Sequence, residues 1–211
     1  MKFPTTKARG FTLIELMVVI LVIATLVALL VPAASRTLDR AKSAQAKNDV
    51  TQIVTAVNAF YTEYGKYPLT AAQNTDVLAT FKTNNSDVIY TLRAVSSGAN
   101  AADALNPRKI VFLSPRQVGD TNPVGGVAQT SGIYYDPWGP KAGKPEAGVY
   151  HIEIDGDYNN QITTNPYGAN GGAGPQPLNQ GVIAWSLGKD GALGKAGNNI
   201  FTGSDDVVSW Q

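Results

Sequence analysis

The sequence predicts an α+β protein in which a long N-terminal helix carries a head domain built on a C-terminal antiparallel β-sheet. Three observations lead to this fold class. An apolar run occupies residues 11–34, a helical stripe of apolar side chains continues to Tyr64, and short β-rich runs separated by Pro and Gly occupy the C-terminal part.

The apolar run at residues 11–34 is long enough to cross a membrane. It holds 24 residues with Glu15 as its only ionisable side chain, and about 20 helical residues span a bilayer core of roughly 30 Å. Three basic residues precede it: Lys2, Lys7 and Arg9. A secretory signal has a shorter apolar region that ends at its cleavage site. Cleavage at Gly10, by contrast, would release a basic leader and keep the membrane segment.

The helix is expected to continue past Pro32 to Tyr64. Apolar side chains recur there at steps of three or four residues: Ala46, Val50, Ile53, Val57, Phe60 and Tyr64. Gly65 and then Pro68 are typical of a helix end. An unbroken helix from Phe11 would measure about 81 Å, so its first half must lie in a membrane or a filament core. Pro32 removes an amide donor, which predicts a kink or a melted turn before it.

The remaining residues, 65–211, form the predicted head. The expected elements are a helix at 75–82 and strands at 88–95, 110–113, 133–135, 149–154 and 182–186. The Gly- and Pro-rich residues 165–181 are expected to form a long loop. Alternation along residues 149–154 places His151 on the face turned away from the core.

The composition excludes several classes of function. Without cysteine the chain has no disulfide, no thiolate nucleophile and no Cys-ligated metal site. Its single histidine, His151, excludes a multi-histidine metal site, and no nucleophile motif accompanies it. Residues 11–211 hold 14 basic and 16 acidic side chains, a balance that argues against a general nucleic-acid-binding surface.

Glu15 lies inside the apolar run and requires an explanation. A carboxylate within a membrane helix costs a few kcal/mol and usually has a partner. Glu15 either stands near enough to the helix end to reach the membrane interface, or it neutralises the ammonium group that cleavage after Gly10 creates on Phe11 of a packed neighbour.

The N-terminal motif, Gly10 followed by Phe11-Thr-Leu-Ile-Glu15-Leu, resembles the class III signal of type IV prepilins and pseudopilins. The resemblance implies that a prepilin peptidase cuts after Gly10 and methylates the new amino group of Phe11. It also implies that Glu15 guides subunit docking into a helical filament, and Pro32 stands where that family commonly has a helix-disrupting proline. The expected division is a cleaved leader (1–10), a transmembrane and filament-core helix (11–34), an amphipathic helix (35–64) and the head (65–211).

Acidic residues in the C-terminal loops are candidates for binding calcium, which takes six to eight oxygen ligands. Asp190, Asp205 and Asp206 would form a site if the loop brought them together; the alternative is a simple Asp-Gly turn beside an exposed acidic pair. A second segment, Asp155-Gly-Asp157-Tyr-Asn159, has the start of a calcium loop but lacks the glycine and the acidic twelfth residue that should follow. A β-hairpin turn is the favoured interpretation there.

Several short segments resemble the major pseudopilin of type II secretion. They are Tyr61 through Tyr67-Pro68, Asp136-Pro-Trp-Gly139, Ser186-Leu-Gly-x-Asp190-Gly and Asp206-Val-x-x-Trp210. That family implies calcium in the C-terminal loop, with Asp190, Asp205 and Asp206 as side-chain ligands and Leu187 as a carbonyl ligand. Compared with the family, this chain has extra residues at 71–131 and 156–181.

The resemblance implies a structural subunit and no enzyme. The family anchors such a subunit in the bacterial inner membrane by one span, with the head in the periplasm, and polymerises it into a homopolymeric pseudopilus that drives protein export. The implied partners are prepilin peptidase, the inner-membrane assembly platform, minor pseudopilins and, before assembly, membrane lipid; no nucleic acid is expected. The alternatives are a surface type IV pilin for adhesion, motility or DNA uptake, which often has a C-terminal disulfide, and a membrane-anchored enzyme or binding module.

Overall fold

The computed structural model of the chain describes residues 10–70, 76–77 and 83–211, and at residues 32–33 it describes the backbone alone. The chain divides into two compact units, Met1–Ala41 and Lys42–Gln211. The helix expected at residues 75–82 lies almost entirely outside the described residues. In the part that is described, Val77 pairs with Ile154 in an antiparallel β-bridge.

The predicted long helix is confirmed. Helix α1 spans Leu13–Tyr64, a length of 52 residues. Of the two alternatives expected before Pro32, the melted turn is wrong, because α1 is helical through this residue; the kink stays a prediction. A proline removes a single amide donor, and the hydrogen bonds of the flanking turns hold the helical conformation in a helix of this length. Gly65 ends α1 as predicted, with a left-handed φ of +66° and its amide donating to the Tyr61 carbonyl at 2.8 Å.

In the unit Lys42–Gln211, the stripe of α1 packs into the main core. Five of its predicted members are fully buried and Tyr64 is partly buried: Ala46, Val50, Ile53, Val57 and Phe60. The Phe60 ring meets the edge of the Phe112 ring at a centroid distance of 5.4 Å. Each large apolar side chain buried in this way contributes roughly 1.5–3 kcal/mol, so the stripe is a major source of the head's stability.

Two three-stranded sheets build the rest of the head. In the first, β1 (Gln117–Val118) runs parallel to β2 (Gly126–Ala128), which pairs antiparallel with β3 (Tyr134–Tyr135). In the second, β4 (His151–Ile154), β5 (Val182–Ser186) and β6 (Val207–Val208) are antiparallel in that order. The strands predicted at 133–135, 149–154 and 182–186 are therefore confirmed, and the parallel pair β1–β2 was not predicted.

The strand predicted at residues 88–95 is wrong, because this segment belongs to a helix, α2 (Ser86–Leu92). Its β-branched residues fill a buried helical face in which Val88, Ile89 and Leu92 are fully buried, so packing outweighs β propensity. The strand predicted at residues 110–113 is also wrong. This segment is in neither a helix nor a strand, and the amides of Phe112 and Leu113 both donate to the Leu92 carbonyl at the end of α2.

The second sheet is covered on both faces. Tyr150, Ile152 and Ile154 enter the main core as the alternation predicts. The opposite face lies beneath a second cluster: Ile162, Tyr167, Ala173, Leu178, Ile183, Trp185, Leu187 and Val208. His151 does point away from the main core, but it is 1% exposed and stacks on the Trp185 ring at 5.2 Å. The expectation that this face is outside any core is therefore corrected, since the loop after β4 folds back over it.

Candidate functional site

Helix α1 begins with a hydrogen-bonded N-cap. Gly10 and Phe11 are exposed. The Glu15 amide donates to the Thr12 hydroxyl at 3.2 Å, while the Glu15 carboxylate accepts the Thr12 amide at 2.8 Å and the Thr12 hydroxyl at 2.7 Å. This reciprocal arrangement is a capping box, which satisfies amide donors that the first turn of a helix leaves free. Glu15 thus stands in the first turn of α1.

The large apolar side chains of α1 before Pro32 are uncovered. Their exposed fractions run from 48% at Val19 to 76% at Leu13. Among the described helices, α1 alone is long and apolar enough to cross a membrane, and none of its apolar window is buried. An apolar surface of this size is unfavourable in water, so lipid or other protein chains must cover it.

The C-terminal loops bring three aspartates together. Asp190, Asp205 and Asp206 each offer a carboxylate oxygen, and these oxygens all lie within 4.8 Å of one another. Asp190 follows the end of β5, whereas Asp205 and Asp206 immediately precede β6. Residues 187–206 form one connection between these strands, and the pairing of Ser186 with Val207 brings its two ends together. The simple turn with a separate acidic pair is therefore not what the structure shows.

Asp206 is the most buried of the three, with 7% of its surface exposed. Its Oδ2 atom accepts the Gly194 amide at 2.6 Å and the Tyr167 hydroxyl at 2.8 Å. Burial raises the pKa of Asp206 to about 6; the charges of Asp205 and Asp190 act in the same direction, and the two hydrogen bonds oppose it. The cluster therefore holds an aspartate that is costly to ionise unless a positive charge is near.

Neighbouring segments hold the loop that carries Asp190. Lys144 donates its ammonium group to the Asp190 carbonyl at 2.9 Å, and Lys141 donates to the Lys189 carbonyl. The Leu187 carbonyl accepts the Gly191 amide at 3.2 Å and keeps a second lone pair for another partner. Gly188 has a φ of +62°, and a Cβ atom there would collide with the Asp205 carbonyl, so the close approach of the two ends of this connection requires glycine.

The turn at residues 136–139 anchors the same loop from the other side. As the sequence predicts, it is a tight turn, in which Asp136 Oδ1 accepts the amides of Trp138 and Gly139 at 2.9 Å each. Asp136 Oδ2 accepts the hydroxyl of Ser186 at 2.5 Å, and the same hydroxyl oxygen accepts the Gly188 amide at 3.1 Å. The start of the acidic loop is thus fixed by a buried hydrogen-bond chain.

The aspartate cluster has the chemistry of a site for a hard divalent cation. Carboxylate and carbonyl oxygens are the ligands that calcium prefers. Asp206 Oδ1 is buried and has no hydrogen-bond partner among the described residues. A buried carboxylate oxygen without a donor is unfavourable, and a cation would satisfy it. The residues present therefore fit such an ion.

A second group of carboxylates lies around Asp155. Asp76, Asp155 and Asp157 also offer oxygens within 4.8 Å of one another. The two Asp155 oxygens accept the amides of Asn159 at 3.2 Å and Asn160 at 2.6 Å, and burial raises the pKa of Asp155. The β-hairpin turn expected here is wrong, since β5 begins only at Val182. Backbone amides therefore hydrogen-bond to both Asp155 oxygens, which orders this loop.

Two contacts were not predicted from the sequence: the Thr12–Glu15 cap and the Tyr167–Asp206 hydrogen bond. The Thr12–Glu15 cap carries the Thr-x-x-Glu signature of a capping box, so the sequence contained a signal that would have found it. Tyr167 contacts Asp206 from a position 39 residues away. No local pattern predicts such a contact, because it depends on how the long loop after β4 folds.

Comparison with known proteins identifies the N-terminal segment alone. Residues 5–31 match the family model of the prokaryotic N-terminal methylation motif, a stretch that includes Gly10, Phe11 and Glu15. No curated protein and no solved structure is significantly similar to the chain. The chain therefore carries a prepilin-type N-terminal signal, the class of signal that a prepilin peptidase processes.

Proposed function

We propose that the chain is the precursor of a structural subunit of a type II secretion pseudopilus. The observation that carries the proposal is the methylation motif at residues 5–31, which runs into the first part of α1, where the apolar surface is uncovered. Prepilin peptidase removes residues 1–10 and methylates Phe11. One membrane span then holds the subunit in the inner membrane, with its head in the periplasm.

Polymerisation transfers the apolar part of α1 from lipid to the core of a filament made of copies of this chain. Van der Waals packing between helices and pairing of Glu15 with the amino group of a neighbour's Phe11 favour this transfer. The assembly platform of the inner membrane and minor pseudopilins are the proposed partners. The growing filament pushes folded proteins towards export, so the subunit acts mechanically and catalyses no reaction.

Intact-mass spectrometry of the membrane-extracted protein tests the processing step. We expect a mature chain that begins at Phe11 and carries one additional methyl group. A Gly10→Val control should be processed less completely, because a branched side chain obstructs the close approach to the backbone that glycine allows. A mature chain that retains Met1, or that begins after residue 34, would contradict the prepilin interpretation.

A gene deletion separates the pseudopilus from a surface pilus. The aspartates that meet in the C-terminal loop and the absence of cysteine favour the pseudopilus. Loss of protein export with intact surface filaments is the expected phenotype. Loss of surface filaments, motility or DNA uptake with normal export would instead identify a type IV pilin.

We propose further that calcium binds to Asp190, Asp205 and Asp206, with the Leu187 carbonyl as a fourth protein ligand. The buried Asp206 Oδ1 supports this assignment. Bound calcium supplies positive charge that offsets the mutual repulsion of the three carboxylates. A ligand that binds only the folded state stabilises it by about 2.7 kcal/mol at a hundredfold excess over its dissociation constant.

Thermal melts of the detergent-solubilised full chain test the calcium site. The wild-type midpoint should rise with calcium relative to chelator, and Asp190→Ala and Asp206→Ala should lose that rise. Asp157→Ala serves as the matched control in the second carboxylate group. A calcium shift that survives in both cluster variants and disappears in the control would place the ion at the second group instead.

A further inference from the structure

The long loop after β4 reaches the aspartate cluster through one side chain, Tyr167. The Tyr167 hydroxyl donates to Asp206 Oδ2 at 2.8 Å, and the Gly194 amide donates to the same oxygen at 2.6 Å. Two donors on one oxygen fix the rotation of the carboxylate. The other oxygen, Oδ1, is left buried without a partner among the described residues, which makes it available to a cation.

The Tyr167 ring is itself held rigidly. It is 3% exposed and meets the edge of the Phe201 ring at a centroid distance of 5.2 Å. The Tyr167 amide donates to Asn165 Oδ1 at 3.0 Å, and the Asn165 side-chain amide donates to the carbonyls of Gly174 and Pro175 at 3.2 and 3.1 Å. These contacts leave the hydroxyl little freedom to move.

The glycine-rich part of the loop also binds the chain on either side of Asp205 and Asp206. Before them, the Phe201 amide donates to the Gly171 carbonyl at 2.7 Å. After them, the Trp210 indole donates to the Ala173 carbonyl, and the Gln211 side chain donates to the Gly172 carbonyl at 2.9 Å. The loop therefore spans the segment that carries two of the three carboxylates.

We propose that Tyr167 is a positioning residue for the calcium site and that residues 165–174 form a clamp that preorganises it, an inference that rests on the calcium binding proposed above. Tyr167 does not contact the ion. It holds Asp206 through Oδ2 so that Oδ1 stays available to the ion, and the clamp keeps residues 201–211 in place before calcium arrives. This assigns a role to part of the extra segment at residues 156–181.

Calcium titration of the detergent-solubilised full chain against a chromophoric chelator tests the proposal with Tyr167→Phe. This variant keeps the ring and its packing and removes the hydroxyl alone. We expect its calcium affinity to fall about tenfold, the size of effect typical when the group that orients a metal ligand is lost. Tyr158→Phe is the matched control: its hydroxyl accepts the Tyr67 amide at 3.3 Å outside the cluster, and its affinity should equal that of wild type.

A double-mutant cycle separates positioning from general support of the fold. In the Asp206→Asn background, Tyr167→Phe should change the affinity by less than about twofold, because the hydroxyl acts through Asp206. An equal loss in both backgrounds would show that the hydroxyl supports the fold generally and would overturn the positioning role. Melting in chelator should give similar midpoints for wild type and Tyr167→Phe.

Two further outcomes separate the role of Tyr167 from calcium binding itself. If wild type and Tyr167→Phe bind calcium equally, Tyr167 is not a positioning residue and the calcium site stands. If wild type binds no calcium, the calcium site and the role of Tyr167 both fail.

Discussion

Asp206 combines deep burial with two neighbouring carboxylates. Its pKa is raised from the ordinary 3.8 to about 6, first by burial, so ionising this group costs more in the folded chain than in the unfolded one. The contribution of Asp206 to stability is thus fully present below about pH 4 and is lost as the pH rises through 6 in the absence of a bound cation.

The pH dependence of unfolding without calcium measures this effect. We expect Asp206→Asn to remove a loss of about 2 kcal/mol that the wild type suffers between pH 4 and pH 7, because each pKa unit corresponds to about 1.4 kcal/mol. The measurement is urea unfolding in chelator followed by tryptophan fluorescence, since all three tryptophans, Trp138, Trp185 and Trp210, lie in the head.

Comparing wild type with Asp206→Asn removes the contribution of other buried carboxylates to the pH dependence. Burial raises the pKa values of Asp49 and Asp136 as well, and both groups are present in wild type and variant alike. Stability curves that stay parallel from pH 4 to pH 7 would show that Asp206 ionises normally in the folded chain.

Helix α1 has two chemically different parts. Before Pro32 its apolar side chains are exposed all around the helix. From Ala46 onward the apolar stripe is buried and most of the exposed side chains are polar. The first pattern suits an environment of lipid or other helices. The second suits a helix that packs against the head along one face.

The stripe predicts a large effect for Phe60→Ala. Phe60 is fully buried and packs on Tyr64 at a centroid distance of 4.6 Å and on Phe112. Its truncation should lower the free energy of unfolding of the head by about 3–5 kcal/mol. Gln52→Ala, on the exposed face of the same helix, should change it by less than about 0.5 kcal/mol. Similar losses in the two variants would mean that the stripe does not hold the head.

At the scale of the whole molecule, the two compact units have different requirements. The unit Lys42–Gln211 contains both apolar cores. The unit Met1–Ala41 contains exposed apolar surface and one carboxylate in its first helical turn. The uncovered apolar surface of the N-terminal helix is unfavourable in water and suits a membrane environment.

Glu15 caps the helix, and its charge has the second, proposed role in assembly. Glu15→Gln should keep the capping box, because glutamine also serves at this position, but it removes the charge that is proposed to pair with a neighbour's amino group. We expect normal cleavage and membrane insertion and a several-fold lower yield of sheared filaments. Thr12→Ala is the complementary control, since it removes the capping hydroxyl and keeps the charge; its filament yield should stay near that of wild type.

Filament yield therefore decides between the two roles. A Glu15→Gln chain that assembles as well as wild type would eliminate the charge pair. A yield that falls only in Thr12→Ala would assign Glu15 to capping alone. Cleavage is measured by intact mass in every variant, so that a processing defect is not counted as an assembly defect.

Features that depend on neighbouring residues could be predicted from the sequence. The apolar run, the stripe of α1, the Gly65 cap and strand β5 follow from periodicity and from backbone preferences that act over a few residues. The N-terminal signal is equally local, since the matched residues form one continuous stretch, 5–31. For this reason the bounds of α1 were predicted to within two residues.

Features that depend on residues far apart in the sequence followed only from the tertiary packing. Residues 88–95 have strand-forming side chains, yet they pack as α2 because a buried helical face was available to them. His151 is buried because the loop after β4 folds over its sheet face. The three aspartates meet because β5 and β6 are adjacent, and Tyr167 reaches Asp206 across 39 residues. Such contacts depend on the packing of the whole head, so local sequence patterns do not predict them.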